Sequence, residues 1–336
     1  MTRSSKTSEI PSLLGDESTA VTIVESVDPP MTGRAKGHRV RGGSSVEWAR
    51  DQAAKALQRR QNSQAATVLQ EVLPLWNDEH RGVPNPMIRS GLFGTKATGN
   101  RQFIKGEAVA SLSNFSIIYK GEELLQDDLS VWMSLLNMAR HKRIGDAIFF
   151  SGYELVKDLG WRMHSESYDR CKESISRLKA NELKVEVKTG TGAYAGSLIR
   201  EYAWAAETPT GDVKWMVRFE PMIAELFQED SVTFLAWEQR KKIGSRASLA
   251  LWLHSYFTSH RDPLPITVQK LHELTKSDEK EIRFFKRRVR NALDRLVEIE
   301  FLTSYQFVGD TVHVKKALLR LGAAVSLKNA VTAQLS

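Results

Sequence analysis

One order of predicted elements occurs twice in this chain, and few folds accommodate it. The order is a short strand, a short helix, a longer helix and then two β runs. In the first segment these elements are predicted at 147–150, 152–159, 165–178, 183–187 and 197–204. The longer helix has apolar side chains, Cys171 among them, at spacings of three and four residues, which is typical of an amphipathic helix. A glycine-rich turn separates the two β runs, as in a β-hairpin.

The second segment repeats this order. Its elements are predicted at 266–268, 268–274, 277–299, 301–307 and 311–314. Ser277 is the expected N-cap of the longer helix. Ile175 and Leu178 of the first segment align with Leu293 and Leu296 of the second at one fixed offset, which hints at an internal duplication.

This order is that of a winged helix, a variant of the helix-turn-helix motif. A further helix precedes each copy, at 127–142 and at 237–254. The predicted fold class is therefore α+β, and the architecture we expect is two winged-helix domains in tandem.

The predicted domain boundaries follow from where aromatic side chains occur. Residues 1–72 are expected to form a mostly disordered arm with a helical segment at 46–72, because the start of the chain is rich in proline, glycine and serine and poor in aromatic residues. Large aromatic side chains mark where cores form, and most tryptophans lie beyond this arm. The first winged-helix domain is predicted at 73–225, the second at 226–321 and a flexible tail at 322–336.

Composition narrows the classes of function. The chain has 48 Lys and Arg against 40 Asp and Glu, a formal charge of +8, which favours a polyanionic partner such as nucleic acid. A single cysteine excludes an internal disulfide framework and a multi-cysteine metal site. No apolar run approaches the roughly 18 to 20 residues that cross a bilayer. We therefore expect a cytoplasmic protein with no membrane partner.

The longer helix of the second segment carries the strongest functional signal. Its apolar side chains fall on one side, and basic or amide side chains gather on the other. The candidates for DNA contact on that helix are Lys280, Arg283, Lys286, Arg287, Arg290 and Asn291. An α-helix fits the major groove, where Arg can bind guanine and Asn can bind adenine through two hydrogen bonds each. The same pattern also suits a solvated basic surface with no ligand.

Four more basic residues are candidates for DNA contact. Lys315 and Lys316 end the predicted wing of the second segment, where they can reach the adjacent DNA backbone. Arg170 and Arg177 lie two turns apart on the longer helix of the first segment. That helix has a mixed exposed side, and so a protein interface is an equal alternative there.

Motifs of phosphate-binding enzymes are incomplete in this sequence. The glycines at 190–196 have the wrong spacing for a dinucleotide site, and β residues follow them where a helix is required. The glycines at 94–99 are followed by Asn100 where a P-loop has lysine. No His-x-His pair is present to hold the metal of a nicking enzyme. We expect no catalytic residue, no metal and no cofactor.

Several motifs resemble the TrfA family of plasmid replication initiators. They occur in order at 73–76, 81–85, 89–93, 194–199 and 237–240. The resemblance extends from about residue 73 to about residue 316.

The resemblance implies a replication initiator without enzymatic activity. Such proteins bind repeated sequences, called iterons, in the double-stranded origin through two winged-helix domains. They help to melt an adjacent AT-rich region, which makes single-stranded origin DNA a further candidate partner. They bring in the host initiator protein and the replicative helicase. The monomer is the active form, and dimers hold the copy number down.

The resemblance also implies docking on the host's sliding clamp. The family pattern is a glutamine, a leucine, an aliphatic residue and an aromatic residue, which match Gln126, Leu129, Val131 and Trp132. The same stretch equally fits an ordinary helix start, because two acidic residues follow Gln126 and the leucine and tryptophan have core spacing.

Two other functions compete with this interpretation. The nearest alternative is a winged-helix transcriptional regulator, but tandem copies favour an initiator, since regulators more often obtain two reading helices by dimerising. A DNA-nicking enzyme is a third interpretation, which the missing metal ligands and phosphate loop disfavour.

Overall fold

The structure is a computed structural model, and it describes residues 73–317 except 75, 98, 100, 113–114, 188–192, 210–212 and 228–230. The arm predicted at 1–72, its helical segment and the tail at 322–336 lie outside the described residues. The described part mixes helices and strands, as the predicted fold class requires.

The chain first builds strands around one long helix. The elements are β1 (His80–Pro84), α1 (Asn85–Ile88), β2 (Phe93–Gly94), β3 (Phe103–Ala108), β4 (Phe115–Glu122), β5 (Leu124–Leu125), α2 (Gln126–Ala139) and β6 (Ile148–Phe150). The helix predicted at 127–142 is α2, and it ends three residues earlier than predicted. Nearly all of its side chains are buried, so it lies inside the first core.

The first of the two repeated segments follows. Its elements are α3 (Gly152–Asp158), α4 (Ser165–Lys179), β7 (Glu182–Val187), β8 (Ala193–Gly196), β9 (Glu201–Glu207) and β10 (Val213–Arg218). A 3-10 helix (Pro221–Phe227) and β11 (Val232–Ala236) follow them. β11 pairs antiparallel with β1, so the end of this segment lies beside the first strand.

The predicted hairpin of the first segment is wrong in its pairing. The run at 197–204 is not one strand, because β8 ends at Gly196 and β9 begins at Glu201. β9 pairs with β10 in a sheet of order β6-β10-β9, whereas β7 and β8 extend a sheet of order β3-β4-β7-β8. Buried and exposed side chains alternate along a strand, and Leu183 and Val185 of β7 and Tyr194 of β8 are all buried in the core. This shared buried side suits the pairing of β7 with β8.

The second segment is closer to the prediction. Its elements are α5 (Trp237–Ile243), α6 (Ser248–Thr258), β12 (Ile266–Thr267), α7 (Val268–Thr275), α8 (Ile282–Glu298), β13 (Leu302–Val308) and β14 (Thr311–Lys316). The predicted hairpin is confirmed as β13 and β14, and the sheet order is β12-β14-β13. Gly309 turns the hairpin with a φ of 61°, which suits a residue without a Cβ.

Two helix boundaries differ from the predictions. The helix predicted at 237–254 is divided into α5 and α6 by Gly244, whose φ of 88° cannot continue a helix. The longer helix begins at Ile282, and so Ser277 is not its N-cap. Lys276 ends α7 in a left-handed conformation, and the hydroxyl of Ser277 accepts a hydrogen bond from the Glu279 N–H in the connecting turn.

Buried apolar side chains form two clusters. The first draws on residues 73–237 and surrounds α2, and the second draws on residues 243–312 and lies between α6 and α8. Leu112 is half-buried and packs against both clusters. The division into domains at residue 225 stays a prediction.

None of the helices between residues 73 and 317 has the length and apolar character that crossing a membrane requires. Among the same residues, no group of His, Cys, Asp and Glu side chains is placed to hold a metal ion.

Candidate nucleic-acid interface

α8 is strongly amphipathic, and its buried side fixes its orientation. The side chains that anchor it in the second core are Phe285, Val289, Ala292, Leu293 and Leu296. Burial of five apolar side chains at helical spacing leaves the opposite side of α8 facing solvent. Arg283, Arg287, Arg290 and Asn291 are all exposed there. Lys280 is also exposed, but it lies in the turn before the helix.

Arg287 and Arg290 are the two arginines of this surface without a carboxylate partner in the described part of the chain. Neither has an ion pair with any described residue, whereas Arg283 lies 2.6 Å from the carboxylate of Glu281. The Arg287 guanidinium lies 5.6 Å from the ring of Phe284, and that of Arg290 lies 5.2 Å from the ring of Phe307. Aromatic faces attract guanidinium groups without satisfying their N–H donors, so both arginines keep donors for a ligand.

Lys286 has a structural partner at the tip of the β13–β14 hairpin. Its Nζ donates to the carbonyl of Gly309 and to the carboxylate of Asp310, both at 2.7 Å. These bonds join α8 to the hairpin turn. They set the position of the wing, and they use donors that the prediction assigned to DNA.

Lys315 and Lys316 point in opposite directions, as neighbours in a strand do. Lys315 is exposed. Lys316 is half-buried, and its Nζ donates to the carbonyls of Phe257 and His260 at the end of α6. Burial lowers the pKa of Lys316. Of the two lysines, only Lys315 is therefore exposed beside the wing.

The two arginines predicted on α4 bind the start of α2. Arg170 lies 3.2 Å from the carboxylate of Asp127 and stacks on the ring of Trp161 at 4.0 Å. Arg177 is only 12% exposed, and its guanidinium lies 3.1 Å from the fully buried carboxylate of Asp128. These contacts give both arginines a role in holding α4 to α2.

The exposed side of α4 differs in charge from that of α8. Its exposed carboxylates, Glu166, Asp169 and Glu173, are interspersed with Lys172 and Lys179. A surface of mixed sign attracts a polyanion weakly, so α4 offers no counterpart to the basic side of α8.

The residues of the clamp-like motif are all inside the protein. Leu129, Val131 and Trp132 belong to the first core and are almost completely buried. Gln126 is the first residue of α2, and it is buried as well. Its amide nitrogen donates to the carbonyl of Phe93 at 2.8 Å. Docking of this stretch on a clamp stays a prediction, and it requires the start of α2 to unwind.

Arg240 has a structural importance that the sequence did not suggest. It follows Glu238 and Gln239 and precedes two lysines, a setting typical of an exposed helix. In the structure Arg240 is completely buried, and burial lowers its pKa to about 9. The aromatic partners Phe284 and Phe307 were also missed, because nothing in the local sequence distinguishes them from core residues.

Comparison with known proteins identifies a family that the chain matches. The family model described as "TrfA protein" matches residues 39–316. The plasmid replication initiator protein TrfA of Escherichia coli is 28% identical over 244 residues, which cover 72% of this chain and 63% of that protein. The chain therefore matches less than two thirds of the length of this relative.

Among solved structures, two crystal structures of domains 2 and 3 of RctB are similar to the chain. The first is 16% identical, covers 69% of this chain and 97% of its own, and has a TM-score of 0.47. The second is 15% identical, covers 66% and 95%, and has a TM-score of 0.45. The match to the family model extends over most of the sequence, and the chain belongs to the TrfA family.

Proposed function

We propose that this chain initiates plasmid replication by binding iterons in the origin, with α8 in the DNA major groove. Membership of the TrfA family supports the class of function. The observation that carries the mode of binding is the exposed side of α8, where Arg287 and Arg290 have no ion pair among the described residues and rest on aromatic rings.

The proposal includes two tandem winged-helix domains. In the second segment, α7 and α8 precede a hairpin that pairs with β12, and this arrangement supports a wing beside α8. In the first segment, α3 and α4 lie between β6 and the hairpin of β9 and β10, which pairs with β6. The β7–β8 hairpin is an insertion into that order.

Base recognition is assigned to the middle of α8. Arg287 and Arg290 lie one turn apart, and each guanidinium can donate two hydrogen bonds to a guanine edge. Asn291, their exposed neighbour, can bind adenine in the same way. Lys280, Arg283 and Lys315 flank this region, where positive charge would neutralise phosphates.

The first domain contributes less to base recognition and more to positioning. Arg170 and Arg177 of α4 already bind Asp127 and Asp128. Several hydrogen bonds also connect the two cores. The guanidinium of Arg89, for example, donates to the hydroxyl of Ser259 at 2.9 Å at the end of α6. A fixed junction would let a monomer present both domains to one long site.

Later steps follow from the same proposal. Bound at the iterons, the protein would promote melting of the AT-rich region and recruit the host initiator and helicase. The protein does this without a catalytic step of its own. Dimerisation would oppose initiation by removing active monomers.

Footprinting on the DNA that flanks the gene tests this function. An initiator gives an array of evenly spaced protected sites, and the protections disappear for a variant that carries Arg287→Ala and Arg290→Ala. A single protected operator beside a promoter supports the alternative of a transcriptional regulator. Nicking of supercoiled DNA that contains the protected region contradicts the non-enzymatic assignment.

A further inference from the structure

A cavity of about 260 Å³ lies beside the exposed side of α8, against the start of α6. Its charged lining consists of Arg246, Arg288 and Arg295, and no carboxylate lines it. Asn291 also lines the cavity. Three guanidinium groups around one small opening repel each other, and an anion between them would offset this repulsion.

The arginines differ in how far acidic side chains neutralise them. Arg246 is exposed and has no ion pair with any described residue. Arg288 lies 3.6 Å from the carboxylate of Asp278, a distance too long for a direct hydrogen bond. Arg295 is bound more firmly, at 2.6 Å from Glu298. The cavity therefore keeps a net positive charge, and Arg246 contributes its least screened part.

The backbone around the cavity is fixed in place. The hydroxyl of Ser248, the first residue of α6, donates to the carbonyl of Thr95 at 2.9 Å. Arg295 also donates to the carbonyl of Lys242 at 2.9 Å, which ties α8 to the end of α5. These bonds hold the segments that carry the arginines in place before a ligand arrives, and this lowers the entropy lost on binding.

The size and charge of the cavity select the class of ligand. Pockets for drug-sized molecules have volumes of roughly 300–1,000 Å³, so this opening is too small for most of them. Guanidinium groups bind the oxygens of a phosphate in pairs of parallel hydrogen bonds. Asn291 belongs both to this lining and to the exposed side of α8, so a ligand here would lie next to bound DNA.

We propose that this cavity is a phosphate-binding site, and that a phosphate of the DNA backbone occupies it when α8 lies in the major groove. The assignment of this phosphate to DNA rests on the proposed function, whereas binding of phosphate as such does not. The contact would fix how deeply and at what angle α8 enters the groove, because backbone contacts set the register of a reading helix.

Inorganic phosphate tests the site without DNA. The thermal midpoint of the full chain is measured with increasing phosphate and, separately, with chloride at the same ionic strength. Phosphate should raise the midpoint of the wild type and of Arg246→Lys more than chloride does, and this difference should be lost in Arg246→Ala. Arg200→Ala, which removes an exposed arginine of the first segment, is the matched control and should behave as the wild type.

DNA titrations then identify the source of the phosphate. Affinity is measured over a range of salt concentrations for an iteron duplex and for an unrelated duplex. Arg246→Ala should weaken both by a similar factor and reduce the slope of log K against log salt by about 0.9, the value for one lost phosphate contact. Arg287→Ala should instead weaken iteron binding more than binding to the unrelated duplex.

The outcomes separate three cases. If Arg246→Ala loses the phosphate effect but keeps the salt slope, the site takes a free phosphoanion and the DNA backbone is excluded. If Arg246→Ala keeps both the phosphate effect and the slope, the proposal is overturned. If the wild type binds no duplex, the proposed function fails, and the phosphate titration still decides whether the cavity binds phosphate.

Discussion

The guanidinium of Arg240 lies 3.1 Å from the side-chain oxygen of Gln126, and this contact joins α5 to α2 between the two cores. Arg240 also donates to the hydroxyl of Ser130 on α2, and to the hydroxyl of Ser255 and the carbonyl of Leu251 on α6. All of these acceptors are neutral. The charge of Arg240 is therefore stabilised by oriented dipoles, and this one buried side chain links α5 to both α2 and α6.

Replacing Arg240 should destabilise the whole protein. Arg240→Ala leaves a cavity and removes the donors that satisfy buried oxygens on α2 and α6. Each unsatisfied buried group costs about 1–3 kcal/mol, so we expect the free energy of unfolding to fall by at least about 3 kcal/mol. Urea denaturation measures this change. Lys241→Ala, the next residue, is the control and should lose less than 1 kcal/mol, roughly the worth of its surface pair with Glu238. Equal losses in the two variants would contradict a special role for Arg240.

Gln126→Ala should act on stability in the same direction. Gln126 donates to the carbonyl of Phe93 and accepts from Arg240, and its side chain is 1% exposed. Its loss leaves both partners short of one hydrogen bond, at a cost of about 1–3 kcal/mol of unfolding free energy. If the clamp-like motif docks on the clamp, Gln126→Ala should instead leave folding unchanged and weaken retention on the clamp. Thermal melting together with clamp pull-down distinguishes the two, because reduced clamp retention at an unchanged melting temperature would favour the motif.

Arg240 and Gln126 show that contacts between distant segments were not predictable from the sequence. The amphipathic pattern of α8 and the hairpin after it are local signals, and both were predicted closely. The burial of Arg240 depends on α2, which lies more than 100 residues away in the sequence, and on α6, which lies about ten residues away. The residues next to Arg240 therefore do not indicate that it is buried. The pairing of β7 with β4 is equally non-local. A glycine at position 244 is compatible with a helix end, but the helix predicted at 237–254 continues across it.

Acid should destabilise the protein partly through His254. Burial, and to a smaller extent the nearby Arg240 cation, lower the pKa of His254 to about 3. An unfolded histidine titrates near 6.5, so between these values the unfolded state binds the extra proton. Stability is thus lost as the pH falls below about 6.5, by at most about 1.4 kcal/mol per pH unit. Urea denaturation at several pH values should show a weaker acid dependence for His254→Gln than for the wild type. Parallel curves would exclude His254 as the cause.

Cys171 should be inert in the native protein. Its side chain is completely buried in the stripe of α4 that faces the first core, as predicted, and burial raises the pKa of the thiol to about 12. The thiolate is the reactive form, so a thiol reagent should modify native protein far more slowly than protein unfolded in urea. Mass spectrometry over time measures both rates. Similar rates in the two states would contradict this and would mean that α4 readily separates from the first core.

Arg287→Ala and Arg290→Ala should each weaken iteron binding by about 1–3 kcal/mol, the range for an arginine that binds a base. Neither side chain belongs to the buried side of α8, so circular dichroism and the melting temperature should not change. Fluorescence anisotropy on an iteron duplex and on single-base variants of it gives the affinities. A base-reading arginine should lose discrimination at one position of the site, whereas a phosphate contact should lose affinity equally on every duplex. Arg200→Ala again serves as the control, because it removes the same charge from a different exposed surface. A folded double variant with wild-type affinity would remove α8 from the DNA interface.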